Sequence, residues 1–163
     1  GGFLAKELRD GGFTVVELKA ADVTASALRS AGFPARALKQ AQFSADELKA
    51  VGFSAKELFA GGHGYSASEL KTSGFTAAKL RSVGATAKQL FAANFTLEEM
   101  KQAGLKAKDL RSIGYTAAQL ERYGFTAPEL RVGGYGPKEL KETSFEAAEL
   151  LSGGFSVAEM REG

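Results

Sequence analysis

The chain has 163 residues, 44% apolar and 25% charged, enough to bury a core while staying hydrated, which argues against disorder. Its 21 basic and 19 acidic side chains leave a formal charge of +2, too little for the strong basic field that holds nucleic acid or anionic lipid. With no cysteine and one histidine, disulfides, thiolate catalysis and sulfur-ligated zinc are excluded, the usual general base is nearly missing, and no apolar run approaches the roughly 20 residues of a membrane span.

From the first residues onward a decapeptide recurs. Gly2-Phe3, Gly12-Phe13, Gly32-Phe33 and Gly52-Phe53 are followed by Gly64-Tyr65, Gly74-Phe75, Gly114-Tyr115, Gly124-Phe125, Gly134-Tyr135 and Gly154-Phe155. Sixteen copies fill the chain with the consensus G-F-[ST]-A-x-E-L-[KR]-x-A, and only Met100 and Met160 depart from the leucine column that runs from Leu8 to Leu150. Two residues are inserted near 61–64, around Gly61-Gly62-His63-Gly64, after which the ten-residue step resumes. Residues 1–163 therefore read as a single repeat domain without linker or tail. The chain opens on Gly1 rather than methionine, as a processed or excerpted piece of something longer would.

One copy, Phe43 to Gly52, shows the local physics. Ser44 is spaced to accept the N–H of Glu47 while the Glu47 carboxylate reaches back to the Ser44 amide, the capping box. Eleven of the sixteen copies place Ser or Thr at that position. Phe43 and Leu48 are spaced as a hydrophobic staple, Gly52 suits a left-handed helix end, and Lys49 complements the helix dipole. The prolines agree: Pro34 falls on a cap, Pro137 on a first helical position and Pro128 on a second, where no intrahelical bond is lost.

Each repeat is thus expected to form one helix of about seven residues, too short to stand alone in water. Ala45, Leu48 and Val51 give it an apolar edge to lean on its neighbours, with alanine small enough for close approach. The expected fold is all-α, a solenoid of about sixteen short helices, one per repeat. A five-residue Phe/Leu alternation also invokes the pentapeptide β-helix, but that fold needs small inward residues where Lys6, Arg36, Asp46, Lys56 and Glu98 stand, and the Ala, Leu, Glu and Lys content favours helix. Over its whole length the pattern resembles the G-F-[ST]-x-x-E-L-[KR] decapeptide arrays of large repeat proteins in protists and bacteria. The resemblance implies no activity.

The column after the leucine departs informatively. Twelve copies carry Lys or Arg there, and the exceptions Phe59, Phe91, Glu121 and Leu151 fall in every third repeat. This spacing predicts about three repeats per superhelical turn, with Phe59, Phe91 and Leu151 stacked along one side as either a partner-docking stripe or a seam where the chain packs on itself. The basic residues themselves are expected to line a solvated edge, so lysine at the three stripe positions should leave folding intact. His63 reads as a loop residue, the glutamates as caps rather than acid–base pairs, and the Gly-rich insertion lacks the residues of a phosphate loop.

These readings describe a non-enzymatic scaffold, a docking rod within a larger assembly, whose partners are other proteins or copies of itself. The alternative is a filament or lattice stacking end to end, since Gly2-Phe3 and Gly154-Phe155 match internal repeats instead of polar caps. Nucleic acid is disfavoured because the aromatic column is needed for stapling. No cofactor, metal or small-molecule substrate is implied.

Overall fold

A computed structural model describes residues 5–162; Gly2-Phe3 of the first repeat lie outside the described residues. The chain divides into two compact units, Gly1–Asn94 and Phe95–Gly163. The first holds α1 (Ala5–Asp10), α2 (Val15–Ala20), α3 (Ala25–Ser30), α4 (Ala35–Gln40), α5 (Ala45–Ala50), α6 (Ala55–Phe59), α7 (Ala67–Thr72), α8 (Ala77–Ser82) and α9 (Ala87–Ala92). The second holds α10 (Leu97–Gln102), α11 (Ala107–Arg111), α12 (Ala117–Arg122), α13 (Ala127–Val132), α14 (Pro137–Leu140), α15 (Ala147–Ser152) and α16 (Val157–Glu162). Among the described residues there is no strand, so the repeat is a helical, solenoid-like one.

Because nearly every backbone group of a six-residue helix is a terminal group, the caps decide whether it forms. Thr116 shows the N-terminal solution: its hydroxyl accepts from Gln119 N at 3.2 Å, and Gln119 Oε1 accepts from Thr116 N at 2.9 Å. Where the cap side chain cannot accept, the returning carboxylate remains. Asp109 accepts from Lys106 N at 3.0 Å and Glu139 from Gly136 N at 2.9 Å. Pro34 occupies the N-cap of α4, and Pro128 and Pro137 lie in the first turns of α13 and α14.

The C-terminal solution is the Schellman motif. After α1, Phe13 N donates to Leu8 O at 3.1 Å and Gly12 N to Arg9 O at 2.9 Å, with Gly12 left-handed at φ 87°. The same aromatic residue that closes one helix therefore opens the next. Asp22, Gln42 and Asn94 hold the left-handed position without being glycine. At the insertion, Ala60–Gly62 form a 3₁₀ turn, yet Tyr65 N still donates to Leu58 O at 2.8 Å. The two extra residues bulge outward, with His63 exposed, and the closing bond survives.

Helices pack on the second neighbour. In the first unit α1 lies on α3, α2 on α4, α4 on α6, α6 on α8 and α7 on α9; in the second α11 lies on α13, α12 on α14, α13 on α15 and α14 on α16. The leucine column from Leu18 to Leu140, Met100 included, is 0–2% exposed and forms the core. Burying each such side chain is worth about 1.5–3 kcal/mol. Alanine at the first helical position permits the approach: a Cβ on Gly133 would stand 2.6 Å from the Cβ of Ala107.

The capping carboxylates make the array acid-sensitive. Glu17 and Glu47 are held below the usual 4.5 by the cap residue's N–H and then its hydroxyl, and Glu57 by the Ser54 hydroxyl and then its N–H. Glu159 is lowered to about 2 by the Ser156 N–H and hydroxyl and by Arg131. Folded values below the unfolded value mean stability that is present above about pH 4.5 and lost as pH falls toward about 2. The thermal midpoint followed by circular dichroism should be flat from pH 5 to 7 and fall steadily below about 4.5; a midpoint unchanged down to pH 2 would contradict the capping role.

Candidate functional site

In many repeats the basic residue after the leucine, expected on a solvated edge, instead clamps successive turns together. Lys19 Nζ donates to Gln42 O at 2.7 Å, Lys39 Nζ to Gly64 O at 2.9 Å and Lys71 Nζ to Asn94 O at 2.6 Å. Arg9, Arg29, Lys49, Lys101 and Arg111 do the same to Ala31, Val51, Ser73, Tyr123 and Gly134. The acceptor lies at the end of the helix two repeats on, among carbonyls that a short helix leaves unsatisfied.

The same cations sit over the aromatic residue that follows. Lys19 Nζ is 4.2 Å from the Phe43 ring centroid, Lys39 Nζ 4.8 Å from Tyr65, and Arg131 Cζ 4.6 Å from Phe155. Each such contact adds about 0.5–1 kcal/mol at an exposed site. The cation also reaches the capping glutamate of the third repeat on, as in Lys39 to Glu69 at 3.0 Å, Arg111 to Glu139 at 3.0 Å and Arg131 to Glu159 at 3.3 Å. One side chain thus touches a carbonyl, a ring and a carboxylate at a single junction, so a turn closes after two to three repeats. Tyrosine in the aromatic column adds a further tie, as Tyr65 donates to Phe43 O and Tyr135 to Tyr115 O. Burial pushes both phenols up to about 12, so they act as neutral donors.

A family model for the decapeptide repeat region matches residues 2–63, 62–127 and 104–163. The chain belongs to the decapeptide repeat family. No curated protein and no solved structure matches it. Among the described residues of this decapeptide array there is no group of three or more His, Asp or Glu placed to hold a metal ion, and no helix is long and apolar enough to cross a membrane.

The four departures from the decapeptide's basic column separate into different cases. Phe59 is 1% exposed, so it lies in the interior and not on the outer side that the stripe requires. The step that seats Lys49 over Phe75 and Lys39 over Tyr65 carries Phe59 to Ala85, itself buried and the one alanine in the aromatic column. A large apolar residue for a cation is matched by a small one for an aromatic. Lysine at Phe59 would therefore disturb the fold, contrary to the sequence expectation.

Glu121 is a reversal of polarity. Ser144 stands at the glycine position, α14 ends at Leu140, and the exposed group at the junction is an N–H. Glu121 Oε1 accepts it at 2.8 Å and the Ser144 hydroxyl at 2.5 Å. Phe91, in the first unit, is 47% exposed and Leu151, in the second, 46%. Phe59 and Phe91 do not share a surface.

Two of the grooves along the chain bear on these features. One of about 450 Å³ is lined by Lys39, Phe43, Asp46, Tyr65 and Glu69, of which Lys39, Tyr65 and Glu69 are engaged in the clamp. The other, about 360 Å³, lies in the second unit between α11 and α13, beside Phe125, Pro128 and Val132.

The pairing of Phe59 with Ala85 is testable by a double-mutant cycle. Phe59→Lys alone should cost about 3 kcal/mol or more by urea unfolding, and Ala85→Phe alone about 1–3. Combined, they rebuild the ordinary clamp, so the double variant should recover about 2 kcal/mol relative to the sum. Additive costs would sink the pairing.

Proposed function

We propose that the chain is a non-enzymatic scaffold that docks other proteins, working within a larger assembly. The observation that carries this reading is the division of labour among its side chains. The glutamates at the third helical position cap, many of the basic residues that follow the leucines clamp, and Tyr65 and Tyr135 tie turns together, whereas Val16, Phe91, Tyr123, Val132 and Leu151 stand out as exposed large apolar groups. The capping glutamates and the two tied tyrosines are committed to structure, and several large apolar groups face outward, where they suit desolvated contact. The membership in a repeat family and the repeated helical fold support the same reading.

Phe91 provides the test. The full chain should form discrete complexes with proteins of its source extract in size-exclusion chromatography, and Phe91→Lys should weaken at least one of them about tenfold while the helical signal is unchanged. Retention of every complex by this variant, or no complex at all, would count against the reading.

Self-association is a second reading, favoured by a specific correspondence. Phe13 is 49% exposed, while Phe43, Phe53, Tyr65, Phe125, Tyr135 and Phe155 in its column are buried. The clamp step that takes Arg131 to Phe155 carries the half-exposed Leu151 to the second repeat of an array stacked behind it, which in another copy is Phe13. Sedimentation velocity should then show mass rising with concentration, and Leu151→Glu should abolish the rise. A monomer at all concentrations would remove this reading and leave the first intact.

A further inference from the structure

The groove between α11 and α13 gathers departures from the repeat that come from separate columns. Lys106 is the one basic residue at the N-cap position among the sixteen copies. Val132 is the one aliphatic residue larger than alanine at the last helical position, and it is 84% exposed. Pro128, also unique in its column, and the Phe125 ring complete the apolar wall, with Gly133 at the floor where any side chain would strike Ala107.

The groove is lined by two basic groups and one acidic group, Glu129. Lys106 and Lys108 both line the groove, and neither ammonium has an ion-pair or hydrogen-bond partner among the described residues. The lining carboxylate of Glu129 is turned to its helix start, accepting from Thr126 N at 2.8 Å and Thr126 Oγ1 at 3.0 Å. Nearby Asp109 likewise accepts from Lys106 N. Two free cations therefore border an apolar cleft whose volume of about 360 Å³ lies in the range of ligand-binding clefts.

We propose that this groove docks a short acidic segment of a partner protein through a bulky apolar side chain flanked by carboxylates. The apolar side chain lies against Phe125, Pro128 and Val132, and the carboxylates reach Lys106 and Lys108. Apolar contact gives the affinity, and the paired cations exclude basic segments. The inference rests on the scaffold reading above and adds to it the place and chemistry of one docking site.

The test uses the full chain and a fluorescein-labelled hexapeptide, Asp-Glu-Phe-Leu-Glu-Asp, followed by anisotropy at low salt. Saturable binding is expected, at least about tenfold weaker for Lys106→Glu with Lys108→Glu and for Val132→Asp, all three positions lying at the groove's rim or in solvent. Circular dichroism should show each variant folded. Peptides with Ala-Ala in place of Phe-Leu, or with lysines in place of the acids, should bind at least about tenfold more weakly. Absence of saturable binding, or equal binding by Val132→Asp, overturns the proposal. A concentration-dependent rise in mass abolished by Val132→Asp also overturns it, assigning the groove to a second copy. If the peptide fails while the Phe91-dependent complexes persist, this site falls and the scaffold reading stands.

Discussion

A six-residue helix is almost entirely ends, and the satisfaction of those ends is the constraint on which the rest of the array depends. Four residues between helices do the work: a helix-ending residue, a left-handed one, an aromatic and a cap. The aromatic closes the Schellman motif behind it and faces the helix ahead, so neither helix can be moved without disturbing the other. Carbonyls left over at the helix end are then collected by cations from two repeats earlier, which turns a local deficit of hydrogen bonds into the bond between turns. Local structure and superhelical packing are therefore one problem with one solution.

Much of this was legible because its signals are local. The Ser44 to Glu47 spacing, the left-handed Gly52 and the three prolines each refer to a helix within four residues of themselves, and all lie where that spacing puts them. The clamp was not legible. Lys39 meets Gly64 and Tyr65 some 25 residues on, and in a sequence with a ten-residue period every basic residue is equally well spaced from aromatics one, two or three repeats away. Only packing selects among them.

Phe59 shows the same limit. An aromatic in a charged column reads as an exposed oddity until Ala85 is considered with it, and nothing in either residue alone points to the other. The paired irregularity, one column gaining bulk and another losing it at the clamp spacing, was the signal that could have found it. Lys106 and Val132 were also available as column outliers, but their convergence in one groove required the packing of α11 on α13.

A repeat array poses a particular problem for function, because any feature present in every copy is explained by the stability of the copy. Specificity has to reside in irregularities, and irregularities are of two kinds. Glu121 is answered by a second change at its partner position, Ser144, and Phe59 is buried with the small Ala85 standing at the clamp spacing from it, so both belong to the interior order of the array and carry no outward information. Lys106 and Val132 restore nothing within the array: an N-cap lysine cannot accept an amide, and a solvent-facing valine buries little. On the reading proposed above, side chains that cost the fold something locally and return nothing to it find their return outside the chain, which points to the groove, and not the insertion or the buried phenylalanine, as the place to seek a partner.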